Sequence, residues 1–368
     1  MKELFIQKEL RSNGLFATID KLNLHHKIQD NLVLLKYKQI EADWTHPATS
    51  ECRGIILDMN DNFKVVAYSY DKFWNIGEKY CATIDWDNAK VYFKDDGSLL
   101  NVYYYNNKWN VQTSGIIDAS GETYIGKTFK DLFYEAVDII YGSFEEFESR
   151  LNVNYNYMFE LCTPYNIVVV PHTEYSLNLH GVRDMTTFEY VDIDNIDLIK
   201  VKKFDINSVE EMDELIKTMP WTEEGFVVFD GVNRAKLKNP KYVAMHHTAT
   251  KSSPYAIIDV IKNNEISEFL TYFKHHTEEL TELKSRWDNV ISYIDNYYNK
   301  VKDIEDTKEF ALTIKDFDRR YKSILFNLRN GRIKNVHEGL CNFSNKDLYN
   351  DILKARNINT NRQFNAKK

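Results

Sequence analysis

This chain of 368 residues has no apolar run of membrane-spanning length, which excludes a transmembrane helix. Its first residues, Met1-Lys2-Glu3-Leu4, lack the apolar core of a secretory signal, so a cytoplasmic protein is expected. Cysteine is scarce. Cys52, Cys81, Cys162 and Cys341 are scattered without metal-type spacing and are expected as reduced, mostly buried thiols. There is no G-x-x-x-x-G-K-[ST], which excludes a P-loop enzyme. Three histidine pairs, His25-His26, His246-His247 and His275-His276, lack partners at metal spacing and are expected in packing or at the surface.

Aromatics are plentiful, with 24 Tyr and 21 Phe, and the length suffices for a large core and two domains. The net charge of -8 argues mildly against a nucleic-acid partner, but its distribution does not. Residues 315–368 carry 13 Lys/Arg against 5 Asp/Glu, a local +8 that leaves -16 on the remainder. A basic end on an acidic body can still grip phosphates; a solvated helical surface would look the same.

Residues 1–250 read as an α+β domain of mainly antiparallel sheets with flanking helices. Strand-like runs recur at 54–59, 90–94, 99–105, 157–162, 167–170 and 226–229, with turn residues at Asn106-Asn107 and Asp230-Gly231. A helix is expected over Thr128–Tyr141, with Phe129, Leu132, Phe133, Ala136 and Ile139 on one face and Gly126 and Gly142 at its ends. Beyond Ser252-Ser253-Pro254 strand alternation vanishes. Leu280, Leu283, Trp287, Val290, Ile294, Tyr297 and Val301 form a helical seam, a second helix is expected over 307–328, and a third near Ser344 with Asp347 three residues on. A smaller all-α domain is therefore placed at 251–368, fraying over its last dozen residues.

The chemistry begins at Lys94-Asp95-Asp96-Gly97-Ser98, where a lysine ends one strand-like run and a tight acidic turn leads into the next. Lysine is a poor nucleophile at its ordinary pKa of about 10.4, and a packed wall with nearby cations can free the amine to attack. Phe159-Glu160 lies in a strand-like run that puts Glu160 on the face opposite Phe159. Further on, Glu224-Gly225-Phe226-Val227-Val228, the turn Asp230-Gly231 and Lys236-Leu237-Lys238 read as a hairpin. That hairpin puts Glu224 near Lys238 and both lysines on one face, where two converging ammonium groups call for an anion. Upstream stand Glu51-Cys52-Arg53-Gly54-Ile55-Ile56 and Asp71-Lys72-Phe73-Trp74-Asn75. The Arg53 guanidinium suits phosphate oxygens in a fork.

In this order the elements resemble those of covalent nucleotidyltransferases, and most of all the phage-type RNA ligase 1 family, whose known member repairs broken tRNA. The resemblance covers roughly residues 45–253 and is diffuse elsewhere. It implies that Lys94 attacks the α-phosphate of ATP, releases pyrophosphate and becomes a lysyl-adenylate. Lys236 and Lys238 would stabilise the departing charge. Glu224 would help hold Mg²⁺ or Mn²⁺, and Glu160 would serve the nucleoside sugar or the metal. Arg53 and Lys72 would contact phosphates, with Asp96, Gly97 and Tyr242 at the nucleotide. Thr250-Lys251-Ser252-Ser253 also matches locally. One departure stands out: where the family tends to have a lysine before a glycine, this chain reads Thr113-Ser114-Gly115, and Ser114 cannot supply that charge.

The function implied is ATP-dependent joining of a 5′-phosphate RNA end to a 3′-hydroxyl end, in repair of an RNA such as a tRNA loop. The resembled family works with a polynucleotide kinase-phosphatase, so that partnership is expected too. A DNA ligase or a GTP-using capping enzyme on the same core, or an inactive protein that only grips RNA ends, remain as alternatives. The helical end argues against the first two, which usually carry a β-barrel there.

Overall fold

The computed structural model describes residues 2–38, 42–123, 126–249, 255, 257–263, 266, 269–270 and 277–354, without the side chains of 245–249 and 351–354. The expected match at 250–253, the pair His275-His276 and the last dozen residues lie outside the described residues. The chain divides into two compact units, Met1–His246 and His247–Lys368.

The first unit is built on three sheets. One is a meander of β1 (Leu24–Gln29), β2 (Leu32–Tyr37), β3 (Arg53–Asp58) and β4 (Lys64–Ala67), in that order. A second runs β11-β10-β9-β7-β8, made of β7 (Ser98–Tyr105), β8 (Lys108–Thr113), β9 (Tyr155–Cys162), β10 (Ser176–Asp184) and β11 (Tyr190–Val191). The third runs β12-β6-β13-β14-β5, made of β5 (Trp74–Asn75), β6 (Lys90–Lys94), β12 (Lys203–Phe204), β13 (Gly225–Phe229) and β14 (Arg234–Lys238). Every pairing is antiparallel except β14 with β5. The β7–β8 turn uses Asn106 and Asn107, both at positive φ, as a two-residue hairpin of this twist requires.

Local chemistry sets the helices. Thr128 caps the helix Phe129–Tyr141: its hydroxyl accepts from the Asp131 amide while Asp131 takes the Thr128 amide in return. The buried stripe of this helix is Leu132, Phe133, Ala136 and Val137. Ile139 does not belong to it and is 64% exposed: at 100° per residue it lies roughly 90° from the centre of that stripe, whereas Ile140 lies near the centre. The expected strand at 167–170 is a bend instead. Its Val169 and Val170 amides bind a carboxylate rather than a neighbouring strand.

In the second unit the long helix Thr277–Val301 buries Leu280, Leu283, Trp287, Val290, Ile294 and Val301, as the seam predicts. The helix expected over 307–328 is broken into Thr307–Thr313, a 3-10 turn Ile314–Asp316, and Lys322–Arg329. Phe317 leaves the helix to stack between Tyr293 and Tyr297 of the long helix, at 5.2 and 4.2 Å. Asp318 then takes the Arg320 amide in a turn. Ser344 and Asp347 cap the helix Asn345–Lys354, and Val336–Cys341 is a further helix not foreseen.

Candidate active site

The central strand of the third sheet organises the site. β13 lies between β6 and β14, and its first residue, Gly225, pairs with Lys94 on one side and Lys238 on the other. Glu224, one residue earlier, therefore enters between two lysines. Its Oε1 is 2.8 Å from Lys94 Nζ and 3.3 Å from Lys238 Nζ, and the residue is 5% exposed. Burial pushes the Glu224 carboxyl up, but Lys94, Lys238 and Lys236 outweigh it and hold the group below the usual carboxylate range. Alternation along β14 puts Lys236 and Lys238 on one face, with Leu237 buried on the other.

These groups open on a cavity of about 290 Å³ lined by Lys94, Gly97, Arg53, Lys72, Glu160, Lys236 and Lys238. The structure thus brings seven of the expected residues, six of them through side chains, to one space, with members on all three sheets. Gly97 is needed there. A Cβ on it would lie 2.5 Å from the Leu161 carbonyl oxygen and 3.0 Å from Glu160 Cγ, so the turn after Lys94 packs directly on β9. Arg53 rests over the Phe73 ring at 4.8 Å, and Lys72 Nζ lies 4.5 Å from the Trp74 ring centre and 5.6 Å from those of Tyr37 and Trp44.

Asp96 and Tyr242 are placed elsewhere. They are buried and do not line the cavity; Asp95 does. Tyr242 donates to Asp96 Oδ1 at 2.6 Å, and Asp96 Oδ2 accepts from the Val169 and Val170 amides at 2.9 and 2.6 Å. The pair ties the turn after Lys94 to the 167–170 bend and to the segment after β14. Asp95 accepts from Asn178 at 3.0 Å, and burial pushes its carboxyl up.

Among the lining residues that escaped the sequence reading are three in mutual contact, His180, Tyr70 and Arg234. His180 on β10 sits with Nε2 3.3 Å from Glu160 Oε2 and Nδ1 2.6 Å from the Tyr70 hydroxyl. The Tyr70 ring stacks on His180, and the Arg234 guanidinium lies 4.3 Å from the Tyr70 ring centre. Arg234 does carry a sequence signal: it stands two residues before Lys236, on the same face of the strand. His180 and Tyr70 have no such signal, since distant segments bring them together.

Among the described residues no three His, Cys, Asp or Glu side chains gather as a metal-ligand set. Glu160 and Glu224 each offer hard carboxylate oxygens, which suit Mg²⁺ or Mn²⁺ only if phosphate and water complete the shell.

A lysine at the end of a sheet strand, paired with one buried carboxylate and set beside two further lysines at a cavity in a mainly antiparallel framework, makes a cation-lined site suited to a polyanionic ligand. A family model described as RNA ligase matches residues 51–242, and the chain belongs to that family. It is 30% identical over 74% of its length to a putative bifunctional polynucleotide kinase/RNA ligase of Autographa californica nuclear polyhedrosis virus, and spans 42% of that protein. It is 27% identical over 72% of its length to an RNA ligase of Rhodothermus phage RM378, and spans 78% of it. Among solved structures, an archaeal ATP-dependent RNA ligase is 13% identical at a TM-score of 0.44, covering 85% of this chain and 90% of its own.

Proposed function

We propose that the protein is an ATP-dependent RNA ligase, with an adenylyltransferase domain over 1–250 and a helical domain over 251–368. The observation that carries this reading is the Lys94–Glu224–Lys238 cluster at the floor of a cation-lined cavity. The Lys94 amine, once deprotonated, attacks the α-phosphorus of ATP. A nitrogen–phosphorus bond forms, the bond to the bridging oxygen breaks, and pyrophosphate leaves with that electron pair. Lys236 and Lys238 face the charge that builds on the leaving group. Glu224 holds the Lys94 ammonium in the free protein. Glu160 and Glu224 are the residues to hold a divalent ion, which would neutralise phosphate charge. AMP then passes to an RNA 5′-phosphate, and a 3′-hydroxyl displaces it to close the strand.

The family match supports RNA over DNA as substrate. The kinase named in the baculovirus relative supports work beside an enzyme that prepares RNA ends, as in repair of a tRNA loop. Incubation with labelled ATP or labelled GTP, then with RNA or DNA ends, tests the reading. Covalent label from ATP alone and its transfer to RNA are expected. Label from GTP, or transfer to DNA only, overturns it.

A further inference from the structure

We propose that Lys36 and Arg53 together form a phosphate-binding subsite at the edge of the Lys94 cavity, with Ser114 as its floor. The inference deepens the RNA ligase reading and rests on it.

The sheet brings the two cations together. Lys36 on β2 is the register partner of Arg53 on β3, and a bulge between Leu35 and Lys36 turns the strand there. Arg53 lines the cavity; Lys36 is not itself among the lining residues and stands beside Arg53 in the sheet. The end of β8 is fastened against the same spot. Gln112 Nε2 donates to the Gly54 carbonyl at 2.6 Å. Gly54 has φ +87, and a Cβ on it would lie 2.7 Å from the Ser114 carbonyl oxygen. Ser114 is thereby held beside Arg53, and Lys36 Nζ reaches Ser114 Oγ at 3.5 Å, the long limit of a hydrogen bond.

The electrostatics is one-signed. Among the described residues neither Lys36 nor Arg53 has a carboxylate in ion-pair contact. Burial holds the Lys36 ammonium below the usual lysine range, and Arg53 and then Lys27 lower it further. Two like charges kept side by side, one of them largely out of water, cost stability that a bound anion returns. The chemistry that fits is a phosphate group: an ammonium as a point charge and a guanidinium fork on one oxygen cluster. Lys36 also answers the missing charge at Ser114. The cation stands over the serine from a different strand.

The phosphate has two possible sources, the departing end of ATP or the RNA strand. The test uses Lys36→Met, which keeps the aliphatic stem, and a charge exchange, Lys36→Ser with Ser114→Lys. Each is compared with the unaltered protein in self-labelling at graded ATP, in sealing of pre-adenylated RNA, in calorimetric titration with inorganic pyrophosphate, and in thermal unfolding. Lys36→Met is expected to raise the half-saturating concentration of one substrate by about tenfold, the worth of one charge-assisted hydrogen bond, with native unfolding. A shift confined to ATP and pyrophosphate assigns the leaving group; a shift confined to RNA assigns the strand. The exchange variant should recover most of the loss. Unchanged labelling, sealing and pyrophosphate affinity in Lys36→Met overturns the subsite, as does a folded exchange variant that recovers nothing. An unaltered protein that takes no label from ATP sinks the ligase reading instead, and pyrophosphate affinity still decides the subsite.

Discussion

Glu224 Oε1 lies 2.8 Å from Lys94 Nζ, across the pairing of β13 with β6, and the same oxygen lies 3.3 Å from Lys238 Nζ on the other neighbouring strand. One buried carboxylate therefore binds two strand-end lysines, and removing any of the three unbalances the other two. Lys94→Ala is expected to abolish covalent labelling by ATP while sealing of pre-adenylated RNA partly survives, since that activation is already complete. An alanine variant that still takes the label removes Lys94 as the nucleophile. Glu224→Ala leaves Lys94 and Lys238 facing each other, and labelling should fall by orders of magnitude with an altered metal dependence. A metal titration identical to that of the unaltered protein would take Glu224 out of the metal site.

Lys236 and Lys238 share one face of β14 and both line the cavity. Alanine at either should slow labelling by about two to three orders of magnitude, the range for deleting one preorganised charge at a reacting centre. Arginine at Lys236 should restore little, because a planar fork does not replace a compact ammonium. Near-normal labelling rates in both alanine variants would refute the hairpin as the phosphate site.

The Glu224–Lys238 half of the cluster was legible because it is local. Within the hairpin 224–238, period two sets Glu224 beside Lys238 and puts both lysines on one face; Lys94 joins them across the β6–β13 pairing, which only the resemblance pointed to. Glu160 followed from the same alternation. His180, Tyr70 and Lys36 were not legible, because each meets its partners through tertiary packing or a sheet pairing that no local pattern encodes. Asp96 shows the reverse failure. It sits inside the nucleophile motif, yet the turn faces it inward, where two amides and Tyr242 satisfy it. The break at Phe317 escaped because three- and four-residue periodicity does not register a side chain leaving to stack on another helix.

Tyr242→Phe tests the inward pair. It removes the hydrogen bond to Asp96 in a buried site and should cost about 1–3 kcal/mol of stability in denaturant unfolding. At a temperature where the variant is folded, the half-saturating ATP concentration should stay near that of the unaltered protein. A large rise there with unchanged stability would make Tyr242 a nucleotide contact instead.

Glu51 gives a pH dependence. It is 7% exposed and accepts the Phe5 and Ile6 amides, tying the helix Phe5–Asn13 to the segment that leads into Arg53. Burial raises its carboxyl from 4.5 to about 7 against those two hydrogen bonds. A folded-state value above the unfolded one means that the folded protein binds the proton more readily. The stabilisation is full below about pH 4.5 and lost as pH rises through 7, a span worth about 3 kcal/mol. Unfolding free energy should therefore decline between pH 5 and 7.5 relative to Glu51→Gln, whatever the variant's absolute stability. Parallel pH profiles for the two proteins would show that Glu51 ionises normally.

The helical end has its own test. Residues 315–368 carry the chain's excess of positive charge, and Arg319 and Arg320 are exposed beside the Tyr293–Phe317–Tyr297 stack. A basic helical surface reads a folded RNA by shape and phosphate contact rather than by sequence. Deleting 255–368 should leave ATP labelling of Lys94 partly intact where the remaining core folds. It should weaken joining of a nicked stem-loop more than joining of a short unstructured strand, and adding salt to the full-length protein should reproduce that bias. Equal loss on both substrates, in a truncated protein whose unfolding is still cooperative, would leave the helical domain as a buttress. RNA selection would then fall to the cation-lined mouth of the Lys94 cavity.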